Sequence, residues 1–120
     1  MKRILLVDDD REFLSALSEI LKKQFQTYEA TGVNDALKLL ETVPVDAICS
    51  DFSMGDGTGL DLLEKIHEKK ADIPFLLISG FDDTSIINKV RNYGASFCCK
   101  ADPDLILQIS LFADGEVKGV

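Results

Sequence analysis

The sequence predicts an α/β fold: one five-stranded parallel sheet, doubly wound by helices on both faces. Three observations carry this. Short apolar runs (Ile4 to Val7, Ala47 to Cys49, Phe75 to Ile78) lack alternation and read as strands buried on both sides. Between them lie segments with apolar residues at helical spacing. Strands and helices alternate without a repeat or a linker, and right-handed crossovers turn such a chain into a parallel sheet with helices on both faces.

In order, the first strand covers residues 3–7, and a helix over 11–24 carries Phe13, Leu14, Leu17, Ile20 and Leu21 on its apolar face. Residues 25–30 alternate, which suits an edge strand with one wetter face. A second helix spans about 33–42, with Ala36, Leu37 and Leu40 inward and Pro44 ending it. The strand that ends at Asp51 follows, then a loop marked by Gly55, Gly57 and Gly59. A helix over about 59–69 turns Leu60, Leu63 and Ile66 to the core. Pro74 opens the strand 75–78, and Asp82 and Asp83 precede a helix over 84–92 with Ile86, Ile87 and Val90, closed by a turn at Gly94. Residues 96–99 form the last strand, and Asp102-Pro103 starts a last helix that runs to about 112. The domain therefore covers 1–113, and 114–120 has no pattern and is expected to be a flexible tail. An edge-like second strand with central first, third and fourth strands fits the order 2-1-3-4-5, which sets Asp8 and Asp9 beside Asp51.

Size and composition narrow the function. A chain of 120 residues supports one domain, and 46% hydrophobic with 28% charged residues excludes disorder. A net charge of −8 argues against nucleic-acid binding by phosphate neutralisation. It suits a basic partner, or equally a solubilising acidic surface. No apolar run approaches the roughly 20 residues of a membrane span. Met1-Lys2-Arg3 and the apolar run behind it mimic a signal peptide, but that run is too short and meets three aspartates at once. Cys49, Cys98 and Cys99 lie in strand-like runs without ligand spacing, so reduced, buried thiols in a cytoplasmic protein are expected.

The chemistry converges at strand ends, where open α/β sheets bind ligands. Asp8 and Asp9, Asp51, Ser79 and Lys100 each follow an apolar run. Some have ordinary structural readings. Asp9, with Glu12 three residues on, fits a capping box for the first helix. Asp51 suits a turn, Ser79-Gly80 a strand-end turn, and Lys100 a solvated surface. None of these explains three carboxylates on adjacent strands, which repel and raise each other's pKa. A hard divalent cation relieves that, and an all-oxygen set with few protein donors favours Mg²⁺. Beside such a metal an Asp51 oxygen becomes a nucleophile toward phosphorus, with Ser79 and Lys100 placed to hold a phosphoryl group. His67 reads as a surface residue, and the glycines near 57 match no dinucleotide or P-loop fingerprint.

Leu5-Leu6-Val7-Asp8-Asp9-Asp10, Ser50-Asp51-Phe52-Ser53-Met54, Ile78-Ser79-Gly80, Gly94-Ala95-Ser96-Phe97 and Lys100, in this order, resemble the receiver domain of two-component response regulators. The resemblance covers nearly the whole chain and implies a flavodoxin-like (βα)5 fold. It implies a signalling switch that takes a phosphoryl group on Asp51 from a histidine kinase or histidine phosphotransfer protein, catalysing its own phosphorylation and dephosphorylation. Mg²⁺ would be bound directly by Asp9 and Asp51, through water by Asp8, and by the Ser53 carbonyl. Ser79 and Phe97 would relay the state to the fourth and fifth helices. The alternative is a pseudo-receiver, a protein-interaction module that takes no phosphate. Three positions depart from the usual pattern: Gly55 and Ala101 stand where many receivers have proline, and Phe97 replaces the commoner tyrosine. Without a proline at 101 the Lys100–Ala101 peptide is expected to be trans. In the last helix Leu105, Ile109 and Phe112 should face the core, while Leu107 and Leu111, with Ile106 between, form a second stripe for a homodimer or an output domain.

Overall fold

A computed structural model describes residues 1–115 of the chain. The elements are β1 (Arg3–Val7), α1 (Arg11–Leu21), β2 (Gln26–Ala30), α2 (Val33–Leu40), β3 (Ala47–Asp51), β4 (Ser53–Met54), β5 (Gly57–Thr58), α3 (Gly59–Glu68), β6 (Phe75–Ser79), α4 (Thr84–Asn92), β7 (Ser96–Cys99) and α5 (Leu105–Ala113). Five strands pair in parallel in the order β2-β1-β3-β6-β7, which is 2-1-3-4-5 when the long strands alone are counted. The glycine-marked loop is more ordered than expected: β4 and β5 form a small antiparallel hairpin, Ser53 opposite Thr58.

Strand periodicity divides the core into two halves. Ile4, Leu6, Cys49, Leu76 and Ile78 face α1 and α5. Leu5, Val7, Ile48, Phe75 and Leu77 face α2, α3 and α4. Each fully buried Leu or Ile contributes about 1.5–3 kcal/mol relative to exposure, and neither face of the three central strands is left to water.

Several helix details differ from the pattern reading. In α1 the buried stripe is Leu14, Leu17, Ser18 and Leu21, an i, i+3, i+4, i+7 set. Ile20 falls outside that stripe and is 49% exposed; Ser18 takes an inward place because its hydroxyl bonds that of Thr27 at 2.8 Å. In α3 Leu62 is fully buried and Leu60 only half-buried, since the stripe starts at Gly59 and includes Leu62, Leu63 and Ile66. Leu37 and Leu40 are likewise half-buried at the margin of α2. That helix stops at Leu40, where the N–H groups of Glu41 and Thr42 turn to the carbonyls of Lys38 and Leu39, a tightened last turn ahead of Pro44.

The last helix begins at Leu105 rather than Asp102. The Asp102 carboxylate accepts the Asp104 N–H at 2.8 Å and its carbonyl accepts the Leu105 N–H at 3.0 Å, a turn that delays the helix past Pro103. Within α5, Leu105, Ile109 and Phe112 are buried, Ile106 and Leu111 half-buried and Leu107 exposed. Asp114 and Gly115 make the turn that closes it, and residues 116–120 of the expected tail lie outside the described residues. Cys49 and Cys98 are buried free thiols; Cys99, on an edge strand, is only half-buried. Among the described residues no peptide bond is cis, so Lys100–Ala101 is trans.

Candidate functional site

The strand register sets the site. Val7 pairs with Ser50, Asp51 with Ile78 and Ser79 with Cys99, so Asp8, Asp51, Ser79 and Lys100 all end at one edge of the sheet. Backbone bonds fix those ends: the Asp8 N–H reaches the Ala30 carbonyl at 3.1 Å, Phe52 N–H the Ile78 carbonyl at 2.9 Å, and Lys100 N–H the Ser79 carbonyl at 2.7 Å. Gly59 lets α3 close against this edge, for a Cβ there would lie 2.5 Å from the Asp51 carbonyl oxygen and 2.4 Å from Leu77 Cδ1.

Asp8, Asp9 and Asp51 each offer a carboxylate oxygen, and the three atoms lie within 4.8 Å of one another. Asp8 and Asp51 are buried; Asp9 is exposed. Lys100 Nζ bonds Asp8 Oδ2 at 2.8 Å and lies 3.6 Å from Asp51 Oδ1. It also sits 4.2 Å from the centre of the Phe13 ring, a cation–π contact. Phe13 packs against the core as its helical spacing predicts and, half-buried in the first turn of α1, also supports the lysine; its place one turn after the aspartates was the available signal for that second contact.

Asp9 does not cap α1. Asp10 does, accepting the Phe13 N–H at 3.1 Å, while Asp8 Oδ1 accepts the Asp10 N–H at 2.9 Å. That turn shifts the helix start by one residue and leaves Glu12 without its capping-box partner, so the Asp9 carboxylate is free for the cluster. Ser79 is buried, and its hydroxyl accepts a long 3.5 Å bond from the Phe81 N–H. Ser53 begins the hairpin two residues beyond Asp51, with its side chain exposed. Phe97 is half-buried on β7, paired with Leu77, and packs against the core half under α4. His67 is exposed on α3, edge-on to the Tyr93 ring and remote from this cluster in the fold.

The electrostatics follow. Burial first, and then the Asp8 carboxylate, push the Asp51 carboxyl above its ordinary range, and Lys100 offsets part of this. Burial pulls the Lys100 ammonium down, but its bond to Asp8 and the charge of Asp51 outweigh that and lift it. Cys49, beneath the cluster, is pushed far up by burial and by Cys98, so its thiol stays protonated and inert.

Residues 4–107 match the response regulator receiver domain. The chain belongs to that family. The acid tolerance regulatory protein ActR of Sinorhizobium medicae is 30% identical over 118 residues, 96% of this chain and 61% of ActR. The receiver thus spans about three fifths of that relative's length. Among solved structures, a CheY-like receiver domain protein from Methanospirillum hungatei aligns with a TM-score of 0.86 at 26% identity, covering 97% of this chain and 96% of that one. The non-phosphorylated HemR receiver domain of Leptospira biflexa gives 0.86 at 26%, with 94% of each chain covered. The receiver is homologous to the regulators of two-component systems, and no described helix is long and apolar enough to cross a membrane.

Proposed function

We propose that this receiver is a phosphorylation-driven switch in which Asp51 is the phosphoacceptor. The observation that carries the reading is the meeting of Asp8, Asp9 and Asp51 within 4.8 Å, with Lys100 bridging Asp8 and Asp51. The donor set fits Mg²⁺: every donor is an oxygen, three carboxylates and a backbone carbonyl, and the unfavourable charge on buried Asp51 is what a hard cation relieves. Asp9 and Asp51 would hold the ion directly, Asp8 through water, with the Ser53 carbonyl completing the protein ligands. Bound there, Mg²⁺ supplies positive charge that shields an incoming phosphoryl group from the carboxylates.

The chain's own residues do the rest. An Asp51 oxygen forms the new O–P bond as the donor's P–N bond to histidine breaks. Lys100 leaves Asp8 for a phosphoryl oxygen, and the Ser79 hydroxyl, in place of its weak bond to Phe81, donates to another. Ser79 and Phe97 pass the change to α4, β7 and α5. A histidine kinase or histidine phosphotransfer protein in the cytoplasm is the donor, and the outward stripe of α5 meets a second copy or an output domain. All five polar groups of the site are present, which disfavours a binding-only module.

Incubation with acetyl phosphate and Mg²⁺, read by intact mass, should add one phosphoryl group to the wild type and none to Asp51→Asn. Labelling that survives this substitution overturns the assignment.

A further inference from the structure

The helix α2 starts without a capping side chain of its own, because its N-cap is Gly32. Its first two N–H groups are nonetheless satisfied. Val33 N–H donates to Asp56 Oδ1 at 2.8 Å and Asn34 N–H to Asp56 Oδ2 at 3.0 Å. Asp56 lies in the turn of the β4–β5 hairpin, so the cap crosses from one element to another. The carboxylate also lies at the positive end of the helix dipole. Gly32 and Asp56 are matched sterically: a Cβ at Gly32 would stand 2.6 Å from Asp56 Oδ1.

The hairpin needs such an anchor. Two strands of two residues do not hold themselves together in water. The turn is open at Gly55, where a Cβ would meet nothing within 4 Å. Met54 is buried in the core, and at the α3 end Thr58 and Asp61 form a capping box. Between these, Asp56 is the residue whose side chain hydrogen-bonds the turn to the start of α2. Ser53, whose carbonyl is the proposed metal ligand, is in the strand the turn closes.

We infer that Asp56 is a positioning residue: it ties the hairpin after Asp51 to the start of α2 and thereby holds the Ser53 backbone in register with Asp8, Asp9 and Asp51. The inference rests on the Mg²⁺-dependent reading above. It makes capping and metal-site geometry two consequences of one side chain, and they are separable. Gly32 is fully extended (φ −177°, ψ −177°), a backbone any residue adopts, and it already holds the N-cap position of α2. Once the Asp56 carboxylate is gone, a side chain at position 32 has room and can cap α2 locally, but it cannot hold the hairpin.

The experiment compares wild type, Asp56→Ala and the double variant Asp56→Ala/Gly32→Ser by urea unfolding, Mg²⁺ titration calorimetry and amide hydrogen exchange over residues 53–58. The single variant should lose stability, exchange faster in the hairpin and bind Mg²⁺ about tenfold more weakly, the lower end for groups that orient metal ligands. In the double variant the urea midpoint should return toward wild type while Mg²⁺ affinity and hairpin protection stay low. Recovery of all three together would reduce Asp56 to a helix cap and overturn the inference, as would unchanged Mg²⁺ affinity in either variant. If wild type itself binds no Mg²⁺, the functional reading fails, and hairpin exchange still decides whether Asp56 is the tether.

Discussion

The two ends of the sheet differ in what they gather. At the end where the strands finish, Asp8, Asp51, Ser79 and Lys100 converge, with the Asp8 carboxylate buried and that of Asp51 largely so. At the end where the strands start, a cleft of ≈ 390 Å³ opens among Lys2, Asp46, His67, Phe75, Tyr93 and Phe112. The cleft has volume, yet several of its polar groups already serve neighbouring backbone or side chains. Lys2 Nζ donates to the Asp114 carbonyl, Asp46 takes the Arg3 N–H, and Tyr93 O–H donates to Glu64. A cavity alone therefore does not mark the site. What marks it is charge delivered by adjacent parallel strands to one point, with repulsion left for a ligand to relieve.

That contrast is broken most directly by exchanging side chains at each end. Lys100→Ala should slow phosphorylation by acetyl phosphate about 10²-fold, as loss of one preorganised charge donor does. His67→Ala, at the cleft, should leave the rate unchanged. Time courses of intact mass check both, and a comparable loss at His67 would move functional weight to the cleft.

Glycines sharpen the same comparison. Gly59→Ala forces a methyl against the Asp51 carbonyl and Leu77, and overpacking of this kind costs about 1–3 kcal/mol. It should also lower phosphorylation, because the strand carrying Asp51 must give way. Gly94→Ala, at the opposite end, meets no atom but must hold φ at 76°, so about 1 kcal/mol is lost through the backbone alone. Urea unfolding reads the stability change, and phosphorylation should remain intact in the second variant.

A pH series isolates the strain in the pocket. The folded-state pKa of Asp51 is raised, so its ionisation opposes folding: the penalty is full above the folded pKa and vanishes below the unfolded value near about 3.9. Without divalent metal, Asp51→Asn should therefore be more stable than wild type at neutral pH, and the gap should close as the solution is acidified. Equal stabilities at neutral pH would mean that Lys100 fully compensates the buried charge.

The same contrast explains what could be read in advance. Asp8, Asp51, Ser79 and Lys100 were legible because apolar runs end at them and parallel pairing aligns run ends without knowledge of any loop. Local choices between adjacent similar residues were not. Asp9 and Asp10 are equally good caps until the Asp8 turn selects Asp10. Leu60 and Leu62 are equally apolar until Gly59 fixes how α3 meets the sheet. Ile20 loses its inward place to Ser18 through a hydroxyl contact with the next strand. The cap by Asp56 joins residues 23 positions apart, beyond any local spacing rule.

The smallest expected effect lies on α5, on the route proposed for the switch rather than at either sheet end. Its inward residues Leu105, Ile109 and Phe112 are buried, yet Leu107 stays 54% exposed and Ile106 and Leu111 are half-buried. One stripe suffices to cover a sheet face; Ile106 leans on the core, and Leu107 is the exposed residue on which the proposed partner contact rests. A helix stripe alone is small beside the roughly 1,200–2,000 Å² of a stable interface, so a homodimer through it should be weak and dependent on phosphorylation. Sedimentation of wild type with a phosphoryl mimic should show a modest rise in average mass that Leu107→Glu/Leu111→Glu abolishes. If all samples remain monomeric, with or without the mimic, the homodimer fails. The stripe then needs an output domain, which a longer chain would show by burial of Leu107.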